Sequence, residues 1–196
     1  MKALLGQTVT EFITPDTIQL AREGDRASWE TIIAAHQEAV FRFAYLNCGD
    51  AHEAQDIAQE TFIRAWQHLD RFDEARDLRA WLLGITVKRA RNRWRAAQRQ
   101  LKYLQAVFAQ RAGEADNETA GYADRDLLTG ALQELSEAHR EVVILRYFLE
   151  LPVAACAETL GVAKGTVKSR LSRALAALQD TLQRTNPELA AEWDER

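Results

Sequence analysis

From Leu151 to Leu178 the chain reads LPVAACAETLGVAKGTVKSRLSRALAAL, two short runs with apolar residues at helical spacing, hinged at Gly161. In the first run Ala154, Ala157 and Leu160 keep one face. Pro152 suits a first helical position, where its missing N–H costs nothing, and Gly161 permits the left-handed conformation that ends a helix. Val162 is placed to plug the turn. In the second run Val167, Leu171, Ala174, Ala177 and Leu178 form an inward stripe. Lys168, Ser169, Ser172 and Arg173 are left facing outward, able to meet base edges and phosphates, which is the outline of a DNA-reading helix-turn-helix.

The rest of the chain predicts the same class of structure. Val, Ile and Thr rarely alternate with polar residues, while the 3.6-residue period recurs throughout, so the expected fold is all-α. Trp29, Ile32, Ile33, His36, Val40, Phe43 and Ala44 share one face of a first clear helix, broken near Asn47-Cys48-Gly49. Asp50 is placed to cap the next helix. There Ala54, Ile57, Ala58, Thr61, Phe62, Ala65 and Leu69 form a buried stripe, and Glu53, Asp56, Gln59, Glu60, Ile63 and Gln67 face solvent or a partner. A long helix from Leu78 to about Leu101 carries Trp81, Leu82, Ile85, Ala90 and Trp94 and becomes strongly basic after Val87. Ser136 is placed to cap a helix with the apolar run Val142, Val143, Leu145, Tyr147 and Phe148.

Composition divides the chain into a variable segment 1–16, a first helical domain 17–102, a linker 103–124, a second helical domain 125–184 and an acidic tail 185–196. The linker contains AGEADNETAGYAD, rich in small and acidic residues without an apolar period, and reads as flexible.

Net charge is −4, so the total gives no hint of nucleic acid, but the cations are segregated. Residues 88–102 hold 7 Lys/Arg and no Asp/Glu, and residues 161–178 hold 4 and none. Two basic islands in an acidic chain concentrate positive potential where phosphates displace counterions. In the first island Lys88, Arg89, Arg91, Arg93, Arg95, Arg99 and Lys102 are interleaved with Asn92 and Trp94. The tryptophan reads either as core or as a platform for an unpaired base, and the phosphate role of the arginines stands on either reading.

Catalytic and metal constellations are missing from the sequence. His36, His52, His68 and His139 are scattered, and no HExxH, GxSxG or Walker-type loop occurs. Cys48 and Cys156 have no CxxC spacing and read as two free thiols. There is no leader-like N-terminus and no apolar run near the roughly 18 residues of a membrane span. The expectation is a soluble cytoplasmic protein, not an enzyme, with neither cofactor nor metal and no membrane insertion.

The order of these features resembles the bacterial RNA polymerase sigma factors of the extracytoplasmic-function (ECF) group, over about residues 17–182. GDAHEAQDIAQETFIRAWQHLDRFD is similar to the region 2.1–2.2 signature, LRAWLLGITVKRARNRWR to regions 2.3–2.4, and the Leu151–Leu178 segment to region 4.2. The resemblance implies two small helical domains that bind core RNA polymerase and direct promoter-specific initiation. Asp56, Gln59, Glu60 and Ile63 would dock on the β′ clamp helices, with the β flap as a second polymerase contact. The loop containing Phe72 would capture a flipped base of the minus-ten element, beside Lys88, Arg89, Arg91, Asn92, Arg93 and Arg95. Lys164, Thr166, Lys168, Ser169, Arg170, Ser172 and Arg173 would contact the minus-thirty-five element, and an anti-sigma factor is a further expected partner.

Three departures from the family pattern matter. Lys88 stands where many members have Asn near the base pocket, so minus-ten selectivity does not carry over. Ala155 and Cys156 replace the usual Glu-Ile, and Pro152 replaces a common Ser or Thr, which predicts a shifted helix start. The competing reading is a stand-alone helix-turn-helix regulator, which would not require the 50–70 helix.

Overall fold

The computed structural model describes residues 13–109 and 127–185, and every element among them is helical. The sequence-based expectations for residues 1–12, for 110–124 of the linker, for 125–126 at the start of the second domain and for 186–196 of the tail lie outside the described residues. Four helices form the first module: α1 Pro15–Arg22, α2 Arg26–Cys48, α3 Ala51–Gln67 and α4 Leu78–Ala109. Four more form the second: α5 Leu127–Glu134, α6 Glu137–Val143, α7 Val153–Leu160 and α8 Lys164–Thr185.

Local chemistry sets the helix ends. Asp25 caps α2 by accepting from Ser28 N–H at 2.8 Å, and Asp50 caps α3 by accepting from Glu53 N–H at 2.7 Å. Between α2 and α3, Gly49 turns left-handed at φ 74° and closes the first helix onto Tyr45 carbonyl. Helix α1 is an addition to the sequence reading. Its signal is Thr14-Pro15, where Thr14 and Thr17 form a reciprocal capping box and Pro15 takes the first turn. Helix α4 runs past the expected end at Leu101, because LKYLQAVFA contains no glycine or proline to stop it.

The second module departs from ideal helix after Val143. Residues Ile144–Phe148 form a π-turn, with Leu149 N–H reaching Ile144 carbonyl at 3.0 Å. That extra residue per turn buries Ile144 and Leu145 and throws Tyr147, expected in the apolar run, out to solvent. Ser136 occupies the expected cap position of α6, but its side chain makes no capping bond. Pro152 stands one residue before α7 as its N-cap instead of inside the helix, and Cys156 is fully buried beneath it.

Two apolar clusters hold the modules. One lies inside the first module, with Ile18, Ile32, Val40, Phe62, Leu69, Phe72, Leu78 and Leu82. The other is continuous across both: Phe43, Leu46, Ile57, Leu83, Val87 and Ala90 pack with Leu132, Val143, Leu145, Leu160, Val167 and Leu171. Burial of a Leu or Ile in such a cluster contributes about 1.5–3 kcal/mol, so this seam carries a substantial share of the closed arrangement. At its centre α4 has no side chain. A Cβ on Gly84 would stand 3.3 Å from Thr159 carbonyl oxygen, so the backbones of α4 and α7 meet directly.

Candidate nucleic-acid interface

The helix-turn-helix is built as its residues predict. Gly161 turns left-handed at φ 66° after α7, and Val162 N–H returns to Ala157 carbonyl at 3.0 Å, so the hinge is hydrogen-bonded shut. Val162 packs against the apolar cluster, and Val167, Leu171, Ala174 and Leu178 are buried beneath α8. Lys164, Lys168, Ser169, Ser172 and Arg173 are exposed on its outer side. Thr166 is half-buried, and its carbonyl accepts from the Ser169 hydroxyl at 3.1 Å. Arg170 is half-buried, and its charge acts on the carboxyl of Glu141.

Along α4 a second surface is laid out by helical period. Trp81, Ile85, Lys88, Asn92, Arg95 and Arg99 follow one another at alternating intervals of four and three, which places them on one face. The first two are half-buried and the last four are exposed. The face therefore grades from an apolar, aromatic end into a cationic rail, the combination that holds an unstacked strand by its bases and phosphates.

Phe72 lies inside the first module. It is 4% exposed, with its ring 5.0 Å from that of Trp81, because it completes the inner cluster. Its ring anchors the loop, and the following residues Asp73 to Asp77 are exposed. Trp94 resolves in the other direction. It lies on the same side of α4 as Leu83, Val87 and Ala90, yet it is 46% exposed because the helix has run past the end of the core. An exposed tryptophan among arginines is thus available for stacking.

The arginines between the rail and the core are held by carboxylates. Arg89 Nη1 meets Glu60 Oε1 at 3.2 Å and Arg93 Nη1 meets Asp56 Oδ2 at 3.1 Å, a ladder with i, i+4 spacing on both α4 and α3. Arg91 crosses to the second module, where it donates to both oxygens of Glu141 at 2.7 and 2.6 Å. Burial pushes the Glu141 carboxyl up from its usual range, and the two Arg91 hydrogen bonds pull it back. The two ladder pairs are partly solvated, and such pairs contribute about 0–1 kcal/mol, so a competing ligand displaces them cheaply.

Asp56, Gln59 and Ile63 are exposed on α3, and Glu60 is half-exposed. Sequence reasoning stopped one turn short. Trp66, 41% exposed and three residues beyond the 51% exposed Ile63, continues the stripe. With Trp29, Ile33 and Phe62 these side chains line an apolar groove of about 530 Å³ between α2 and α3. Paired apolar residues at i, i+3 on an otherwise polar face were the available signal.

The geometry meets independent support in known proteins. The Sigma-70 region 2 family matches residues 32–100, and the family described as Sigma-70, region 4 matches residues 125–178. The ECF RNA polymerase sigma factor SigL of Mycobacterium tuberculosis is 36% identical over 169 residues, covering 83% of this chain and 93% of its own. SigW of Bacillus subtilis is 31% identical over 185 residues, covering 88% and 98%. Among solved structures, CnrH in complex with the cytosolic domain of CnrY aligns with a TM-score of 0.67 at 25% identity, over 87% of this chain and 97% of that one. The sigma factor RpoE of Bartonella quintana, in complex with the anti-sigma factor NepR, aligns at 0.64 and 27% identity, over 80% and 98%. A region 2 module carrying the cationic rail and a region 4 module carrying the outward-facing recognition helix, in that order, make this chain a member of the ECF group of RNA polymerase sigma factors.

Proposed function

We propose that the chain binds core RNA polymerase and gives it promoter specificity, without catalysis of its own and in the cytoplasm. The observation that carries this reading is the coexistence of an exposed cationic face on α4, an exposed polar and basic face on α8 and an apolar groove between α2 and α3. A stand-alone DNA-binding regulator has no use for the groove. In this reading Ile63 and Trp66 fill an apolar contact with the β′ clamp helices, and Asp56, Gln59 and Glu60 supply a polar and acidic rim. The second module meets the β flap while α8 reads the minus-thirty-five element, and Lys88, Asn92 and Arg95 track the minus-ten strand. That similar chains were solved with the anti-sigma factor NepR or with the cytosolic domain of CnrY supports an anti-sigma partner here.

Promoter engagement requires the modules to separate. A compact chain of 196 residues has a radius of gyration of about 16 Å, hence a width of about 40 Å. The two promoter elements lie about 25 base pairs apart, on the order of 85 Å of duplex at 3.4 Å per step.

Reconstituting purified core polymerase with this chain and mapping the transcripts tests the proposal; initiation no different from that of core alone would reject it. Two substitutions test the surfaces. Glu60→Lys places a cation against Arg89 and removes an acid from the rim, and is expected to weaken polymerase capture in a pull-down titration while the circular dichroism spectrum stays helical. Arg173→Ala is expected to weaken minus-thirty-five duplex binding by about 1–3 kcal/mol if it makes a bidentate base contact. Unchanged discrimination between specific and scrambled duplexes would remove Arg173 from the reading face.

A further inference from the structure

We infer that the cleft between α2 and residues 148–150 binds a small zwitterion of amino-acid size, its carboxylate held by Arg42 and Arg79 and its ammonium by Glu38 and Glu150. None of these side chains belongs to the surfaces assigned above to polymerase or to promoter DNA.

The cleft has a volume of about 320 Å³, at the small end of the range for ligand sites. Two guanidiniums from different helices converge on it, Arg42 from α2 and Arg79 from α4. Arg79 Nη2 donates to Leu149 carbonyl at 3.1 Å, and Arg42 lies over the Phe148 ring, 6.0 Å from its centroid. Neither has a carboxylate within salt-bridge distance among the described residues, so both keep N–H donors for an oxyanion. His36 forms part of the wall. It is 4% exposed, and its buried Nε2 has no hydrogen-bond partner among the described residues, a polar demand that native interiors seldom leave unmet.

Glu150 supplies the opposite charge. At φ 57° it is the one non-glycine residue with a left-handed backbone among the described residues. Hydrogen bonds on either side pin it there: Leu149 N–H to Ile144 carbonyl at 3.0 Å and Leu151 N–H to Leu145 carbonyl at 2.9 Å. Glycine takes that conformation without strain, so what glutamate adds at a conformational cost is a carboxylate on the cleft. Glu38, exposed on α2, adds a second. Burial keeps His36 uncharged at neutral pH, its pKa lowered to about 4, so two cations and two anions face the same space. That balance selects the ligand. A bare anion meets the glutamates and a bare cation meets the guanidiniums, whereas a molecule carrying both charges pairs with all four. Its contacts span both modules, so binding adds to the stability of the folded chain.

The full chain is titrated by isothermal calorimetry at neutral pH with each standard amino acid in turn, and with acetate and methylamine as the two separate halves of a zwitterion. The expected result is saturable binding of at least one amino acid, with acetate and methylamine about tenfold or more weaker, the loss that follows one missing charge-assisted hydrogen bond. Nitrogen NMR of the imidazoles locates the site: the bound amino acid should shift the His36 signals and leave those of the exposed His52 in place. Arg79→Gln is expected to weaken binding by about tenfold. Glu150→Gly separates binding from folding, because it should raise the thermal midpoint by relieving the backbone and still lose the ligand. Absence of saturable binding by any amino acid overturns the proposal, as does acetate binding as tightly as the amino acids. Binding that leaves the His36 signals unmoved, or that survives unchanged in Glu150→Gly, overturns it equally, whether or not Arg79→Gln folds.

Discussion

Arg91→Ala is expected to cost about 3 kcal/mol of folding stability at pH 7, whereas Arg95→Ala, one turn further along the same basic helix, changes it by less than about 0.5 kcal/mol. Both residues belong to the cationic island, and a purely DNA-facing role predicts equal and negligible losses. The difference comes from Glu141, whose side chain is 1% exposed and whose two oxygens both take hydrogen bonds from Arg91. Removing one partner of a buried pair strands the other charge, at about 3–5 kcal/mol. The low end applies because Arg91 is 27% exposed and Arg170 also stands in the field of Glu141. The pH dependence carries a further signature. Without Arg91 the Glu141 carboxyl rises further above its unfolded value, so the variant is relatively most stable in acid and loses that advantage as pH rises through the raised value. The deficit against wild type should accordingly shrink from pH 7 to pH 5 in urea titrations. A constant deficit, or none, would mean that the pair contributes nothing to the closed arrangement.

Wild-type stability itself should fall by up to about 3 kcal/mol as pH drops from 7.5 to 4, on account of His36. This imidazole is buried on the inner side of α2, beside a cleft of about 320 Å³ lined also by Arg42, Arg79, Phe148 and Glu150. Burial, with Arg79 adding repulsion and Asp77 partly opposing it, lowers its pKa from 6.5 to about 4. The unfolded chain therefore takes up a proton near 6.5 that the folded chain refuses until about 4. Stability is fully present above 6.5 and is lost through that interval as pH falls. The measurement is the urea midpoint across the range for wild type and His36→Leu. The variant's profile should lose that component whatever its absolute stability, and a parallel pair of profiles would assign the acid sensitivity to another group.

Much of the helical framework of the candidate site was readable from residues alone, for a definite reason. The inward stripe of α8, Val167, Leu171, Ala174 and Leu178, is fixed by local period, and local period also fixes which residues oppose it. The buried side of α3 was legible in the same way, from Ala54 to Ala65. What period cannot supply is where a helix leaves the core. Trp94 has the phase of a core residue and stands in solvent, while Phe72 sits in a polar loop and is buried. Nor can it supply contacts between remote segments. Arg91 and Glu141 are 50 residues apart, and their pairing follows from the docking of α6 on α4, which depends on the complementarity of whole surfaces. The π-turn at Ile144–Phe148 is a third case, in which tertiary packing overrode the helix that the sequence pattern predicts.

Gly84 gives up about 1 kcal/mol of helix propensity relative to alanine in the middle of the longest helix. What stands opposite is a carbonyl oxygen, and a main chain has the same shape whichever residue carries it. Substitutions flanking either helix can therefore accumulate with little effect on this contact, whereas a single codon change at 84 alters it directly. The sensitivity of this backbone contact to mutation rests on a position that carries no functional group.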